Sequence, residues 1–216
     1  MVYIFDLDGT LLDTLDDLAA SANYAMRKHG FPEHTTDEVR RFVGNGVRKL
    51  IERAVPAGTP QDEVEKTLDT FRKHYTEHSL DTTKPYPGIM DMLEDVKRNG
   101  DRVAVVSNKF DAATKALCSH FFSGLVDVAI GESEGIRKKP APDTVVEAMR
   151  QLGVKPEECV YVGDSDVDIE TARNSGMPCI SVLWGFRDRE FLLQHGATHF
   201  VSSPDEIKKV IIAKSK

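Results

Sequence analysis

Cysteine is scarce in this chain: Cys118, Cys159 and Cys179 are its only three, and none forms a Cys-x-x-Cys pair. An odd number at scattered positions excludes both a disulfide framework and a cysteine-ligated zinc site. Cys159 and Cys179 fall in apolar, strand-like runs and read as buried thiols. Long hydrophobic stretches are missing too. No run approaches the roughly 18 apolar residues of a membrane span, and Asp6 comes too early for a secretory leader, so a cytoplasmic protein with no membrane partner is expected. Positive charge is in deficit, with 28 Lys and Arg against 35 Asp and Glu for a net charge of −7. That sign argues against a nucleic-acid partner, whereas a small anionic substrate needs only one local basic pocket. Repeats and low-complexity tracts are absent. The 216 residues, 40% of them hydrophobic, suit one large domain or a domain carrying a smaller insert.

What is present has a rhythm. Met1 to Phe5 is apolar without alternation, as a strand buried on both faces of a parallel sheet reads. Similar runs recur at Arg102 to Val106, Val126 to Ile130, Cys159 to Val162, Cys179 to Leu183 and Thr198 to Val201, with helical periodicity between them. Alternating strands and helices predict an α/β fold with a doubly wound, mostly parallel, Rossmann-like sheet. Residues 14–84 interrupt it. They show no convincing strand and suit four helices, Leu15 to His29, Thr36 to Phe42, Val47 to Val55 and Gln61 to Ser79, with Thr35 and Thr36 as cap candidates. An all-helical domain over 14–84, inserted into an α/β core of 1–13 and 85–216, is the expected organisation. The basic end, Lys208 to Lys216, reads as the solvated terminus of a last helix.

Chemistry gathers at the strand ends. Asp6 and Asp8 follow the first strand two residues apart, so an extended backbone aims both carboxylates to one side. Such a pair is costly without a cation or a shared proton, which points to metal binding or catalysis. Gly9-Thr10 then turns the chain, and ligands of open α/β sheets bind beyond the carboxyl ends of strands. Asp164 and Asp168 follow the Cys159 to Val162 run and complete an oxygen-rich set suited to Mg²⁺, while Asp166 reads as the cap of the next helix. Ser107 and Asn108 supply a hydroxyl and an amide at the same sheet edge, and Lys139, stiffened by Pro140, supplies a cation. Arg137 and Lys138 are alternative cations.

In order, Asp6-Leu7-Asp8-Gly9-Thr10, Ser107-Asn108-Lys109, Lys139-Pro140 and Gly163-Asp164 with Asp168 resemble the four motifs of the haloacid dehalogenase-like hydrolases. The resemblance runs the length of the chain, and the helical insert is similar to that superfamily's cap. It implies a metal-dependent phosphatase acting on a small phosphorylated metabolite. In that reading Asp6 is the nucleophile, Asp8 the general acid and base, and Lys139 the third catalytic residue, with Thr10, Ser107 and Asn108 on the substrate. Mg²⁺ would be held by Asp6, Asp164 and the Asp8 main-chain carbonyl, with Asp168 in support. Dehalogenase chemistry, which needs no metal, is disfavoured by Asp8, Asp164 and Asp168.

Selectivity is expected from the cap. Gly44-Asn45-Gly46 frees backbone to approach a ligand, and Arg48 follows at a helix start. This loop, with Trp184-Gly185-Phe186-Arg187, is similar to the bacterial phosphoglycolate phosphatase branch, which implies 2-phosphoglycolate as substrate and Asn45, Gly46 and Arg48 as substrate-binding residues. A pyrophosphatase, a sugar-phosphate phosphatase or phosphomutase, and a non-catalytic phosphoryl-binding module are the alternatives. His74-Tyr75-Thr76-Glu77-His78 matches the spacing of some zinc proteases, but no further acidic ligand is marked, so solvated or partly packed histidines are expected.

Overall fold

In a computed structural model describing residues 1–212, the chain divides into two compact units, Met1–Leu12 with Pro85 onward, and Asp13–Lys84. The lysines beyond Ile212 lie outside the described residues.

In the first unit the chain enters through β1 (Val2–Phe5), every residue of which is buried. It then pairs Leu12–Asp13 (β2) with Lys84–Pro85 (β3) in a two-residue ribbon where it leaves and re-enters this unit. The remaining strands are β4 (Arg102–Phe110), β5 (Val128–Glu132), β6 (Cys159–Gly163), β7 (Cys179–Val182) and β8 (Phe200–Val201). They form with β1 a six-stranded sheet in the order β5-β4-β1-β6-β7-β8, parallel throughout. The α/β fold is therefore as the run pattern predicts. Several boundaries differ, those of the second and third runs most. The second run continues through Ser107, Asn108 and Lys109 to Phe110, with a register shift between Val106 and Phe110. The third starts at Val128 rather than Val126, because the Leu125 and Val126 amides still close a turn onto Phe122.

Alternation along the strands separates two apolar layers. Tyr3, Phe5, Val103, Val105, Val160 and Val162 face one side, where Ile89, Met92 and Leu93 cover them. Val2, Ile4, Ala104, Val106 and Tyr161 face the other, under Val145, Ala148 and Ala172. The burial of Cys118 and Cys159 exceeds that of Cys179, which is part exposed. Burial pushes the Cys118 thiol up to about 12, so it is inert at neutral pH.

The second unit is four helices, α1 (Leu15–Lys28), α2 (Thr36–Phe42), α3 (Val47–Ala54) and α4 (Gln61–His78). Thr35 begins α2 through a capping box with Glu38. Leu18, Ala22 and Met26 of α1, with Leu68 and Phe71 of α4, are buried at 5% exposure or less, as an amphipathic bundle requires. Asp17 is buried among them and is fully answered. Thr82 and Thr83 donate both backbone amides and both hydroxyls to its carboxylate, at 2.6 to 3.2 Å. Burial works to raise its pKa, but these hydrogen bonds prevail and hold it below the usual carboxylate value.

The remaining helices belong to the first unit: α5 (Ile89–Arg98), α6 (Asp111–Phe121), α7 (Asp143–Leu152), α8 (Asp166–Asn174), α9 (Arg189–Gln194) and α10 (Pro204–Ile212).

Candidate active site

Strand β1 lies between β4 and β6, because the chain first builds outward on one side and then on the other. This reversal leaves the carboxyl ends of three neighbouring strands open together, the place where such sheets bind ligands. Asp6 continues β1 by donating its amide to Val162 at 2.9 Å. Ser107, Asn108 and Lys109 end β4, and Asp164 follows β6.

The sheet brings Asp6, Asp164 and Asp168 within reach of one another: each offers a buried carboxylate oxygen, and the three oxygens lie within 4.8 Å. They share Lys139. Its ammonium is 2.9 Å from Asp6 Oδ1 and 2.8 Å from Asp168 Oδ1, and donates to the Tyr161 hydroxyl at 3.1 Å. Three buried anions against one buried cation leave an excess of negative charge. Burial first, and then the charge of Asp168, raises Asp6 well above the usual carboxylate range, with Lys139 opposing. Burial and Asp168 push Asp164 up to about 7. Asp168 goes the other way, since the charge of Lys139 and its hydrogen bond outweigh the cost of burial.

Asp168 spends both its oxygens on protein partners. Oδ1 takes Lys139 and the Tyr161 hydroxyl, and Oδ2 takes the amides of Asp164 and Ser165 and the Ser165 hydroxyl. Ser165, rather than Asp166, therefore begins α8, in a capping box closed by Asp168. Ser165 keeps extended backbone, while Asp166 has already entered the helix.

Asp164 is packed from three sides. Thr10 donates its hydroxyl to Oδ1 at 3.1 Å and the Phe186 amide donates to Oδ2 at 2.7 Å. Trp184 in turn donates its indole N–H to the Thr10 carbonyl at 3.0 Å, tying the two loops together. Side chains could not fit here: a Cβ on Gly9, which has φ 83°, would meet Asp164 at 2.5 Å, and one on Gly185 at 2.3 Å. The three carboxylates offer hard oxygen donors, a chemistry that fits Mg²⁺ or a similar divalent cation. Among the described residues it is the one group of three such ligands.

Ser107 is buried and its oxygen accepts from the Lys109 amide at 3.1 Å, while the Asn108 amide donates to the Lys139 carbonyl at 3.0 Å. Lys138 pairs with Glu132 and Arg137 with Asp143, so neither alternative cation joins the acidic cluster. Two contributors have no role assigned to them from the sequence. Lys109 reaches Asp8, with Nζ 3.1 Å from Oδ1. Tyr161 reads only as a strand residue, yet its hydroxyl links Lys139 to Asp168.

Asn45, Gly46 and Arg48 lie in the helical unit and have partners there. Gly46, at φ 83°, begins α3, and the Asn45 side-chain oxygen accepts from Arg53 at 2.7 Å. Arg48 grips Glu65 of α4 with both guanidinium nitrogens. Hydrogen bonds from Arg48, and then Gln61, hold the Glu65 carboxyl down at about 2. His74 and His78 stack at 4.2 Å, with their Nδ1 atoms on Ser21 and Asp81.

The chain matches the haloacid dehalogenase-like hydrolase family over residues 3–182 and belongs to it. Among curated relatives, a phosphoglycolate phosphatase from Aquifex aeolicus is 38% identical over 86% of this chain and 85% of its own length. An N-acetylmuramic acid 6-phosphate phosphatase from Pseudomonas aeruginosa is 30% identical over 96% of this chain and 93% of its own. The crystal structure of a phosphoglycolate phosphatase candidate from Lactobacillus delbrueckii superposes with a TM-score of 0.93 at 39% identity, covering 97% of both chains. No described helix is long and apolar enough to cross a membrane.

Proposed function

We propose that the chain is a phosphatase that hydrolyses 2-phosphoglycolate through an aspartyl-phosphate intermediate. The observation that carries this reading is the buried contact of Asp6 with Lys139 at the end of β1, two residues before Asp8. Asp6 attacks phosphorus, the bond to the ester oxygen breaks, and Asp8 protonates the leaving alkoxide. Asp8 then takes a proton from water, which attacks the phosphoryl group, frees phosphate and restores Asp6. Lys139, Ser107 and Asn108 stabilise the equatorial oxygens of the transferring group, with Thr10 beside them.

Asp6, Asp164 and the Asp8 main-chain carbonyl would hold Mg²⁺, which supplies the positive charge that keeps Asp6 ionised and lets an anionic ester approach it. Asp168, its oxygens already engaged, orients Lys139 and the start of α8. The helical unit serves as a cap, with Asn45, Gly46 and Arg48 meeting the distal carboxylate of the substrate. The relatives' shared name supports phosphoglycolate, while the Pseudomonas aeruginosa relative favours a sugar 6-phosphate as second reading.

A phosphate-release screen with phosphoglycolate, pyrophosphate, hexose phosphates and N-acetylmuramic acid 6-phosphate tests the proposal. The highest kcat/KM is expected on phosphoglycolate. A preference for a bulky sugar phosphate would replace the substrate but keep the chemistry. No release from any ester, an aryl phosphate included, would leave only a phosphoryl-binding module.

A further inference from the structure

We infer that Lys109 is a positioning residue for proton transfer, fixing one oxygen of Asp8 so that the other meets the leaving group. The inference rests on the phosphatase reading and deepens it.

Lys109 is 5% exposed, at the end of β4. An ammonium taken out of water this far needs an anion, and Asp8 Oδ1 lies 3.1 Å from its Nζ. Oδ1 is itself fully buried and has no aligned hydrogen-bond donor, so the ion pair is what holds it. The Asp8 side chain nevertheless keeps 15% exposure, none of it from Oδ1. One carboxylate oxygen is thus anchored inside, which leaves Oδ2 to carry the proton.

The anchor is stiff. The Lys109 amide donates to Ser107 Oγ at 3.1 Å, and its carbonyl accepts from the Thr114 hydroxyl at 3.3 Å. A Cβ on Gly131 would come within 2.6 Å of that carbonyl, so the neighbouring strand approaches as closely as only glycine permits. A carboxylate without such a partner could rotate about its last torsion and present either oxygen, at a cost in alignment.

The test compares kcat/KM, which ends at phosphoryl transfer, for three esters on wild type and Lys109→Met: phosphoglycolate, ethyl phosphate and 4-nitrophenyl phosphate. The first two leave as alkoxides that need a proton; the third hardly does. We expect a loss of about tenfold to a hundredfold on both alkyl esters and less than about threefold on the aryl ester. In an Asp8→Asn background, Lys109→Met should add almost nothing on the alkyl esters. Retained aryl turnover also reports that the variant is folded. Equal loss on all three esters would make Lys109 merely structural. A loss confined to phosphoglycolate would make it a ligand of the substrate carboxylate, and no loss would leave it without a role; each overturns the inference. Failure of wild type to release phosphate at all would instead remove the phosphatase reading.

Discussion

The ammonium of Lys139 lies 2.9 Å from Asp6 Oδ1 and 2.8 Å from Asp168 Oδ1, so it bridges two of the three carboxylates of the acidic cluster. Removing it strands the anions. Lys139→Met should cost about 3 to 5 kcal/mol of stability in metal-free protein, the usual effect of taking one partner from a buried pair. Urea unfolding in EDTA measures this. Turnover should be lost even where the variant is folded, because transition-state oxygens lose their cation.

Asp6→Asn should separate activity from stability. An amide cannot act as nucleophile, so phosphate release should fall below about 1% of wild type. The carboxyl it replaces is held in an environment that resists its charge, chiefly through burial and then Asp168. The variant should therefore melt no lower than wild type in EDTA. Retained turnover in a folded Asp6→Asn protein would remove Asp6 from the nucleophile's role.

The same excess of charge predicts the response to metal. EDTA should abolish turnover, and Mg²⁺ should restore it while raising the melting temperature, since a ligand that binds only the folded state stabilises it. Ca²⁺ should also raise the melting temperature yet inhibit, because its longer, looser coordination aligns nucleophile and phosphate poorly. Full activity after exhaustive chelation would sink the metal assignment.

In the helical unit, Asp17 gives a pH prediction with a definite sign. Its pKa is lowered on folding, burial being outweighed by the Thr82 and Thr83 hydrogen bonds. Its contribution is therefore present above the unfolded value of about 4 and lost as pH falls through the lower folded value. Asp17→Asn should destabilise by about 1 to 3 kcal/mol at pH 7. Measured by urea unfolding, that difference should stay constant down to about pH 5 and shrink below about pH 4.

How much of this was legible in the sequence follows from the range of each signal. Buried parallel strands announce themselves by apolar runs, and carboxylates at their ends stand out because nothing in a plain sheet needs them. Asp6, Asp8 and Asp164 were legible for that reason, whereas Ser107 and Lys139 stood out only through the order of the motifs. The Lys109 contact with Asp8 was not, since it depends on β4 continuing past Val106 and lying beside β1. Tyr161 and the Phe186 amide were hidden likewise: one is an ordinary strand residue, and the other donates through its backbone. Arg48 shows the reverse case. Its place near a helix start was legible, but its grip on Glu65 depends on how α3 packs against α4.

That grip sharpens the prediction for selectivity. Glu65 presents to Arg48 what the distal end of phosphoglycolate would present, a carboxylate taken by both guanidinium nitrogens. Binding substrate there requires Arg48 to exchange one carboxylate for another. Arg48→Ala should lower kcat/KM for phosphoglycolate by about 1.5 to 3 kcal/mol, the worth of a charge-assisted hydrogen bond, while an aryl phosphate with an uncharged leaving group loses little. Glu65→Gln should act in the opposite direction, weakening the competitor and lowering KM for phosphoglycolate alone. Opposite responses on one substrate and none on the other cannot come from misfolding, which would depress all turnover together. Should Arg48→Ala leave phosphoglycolate turnover unchanged, Arg48 is a helix-packing residue and selectivity must be sought elsewhere.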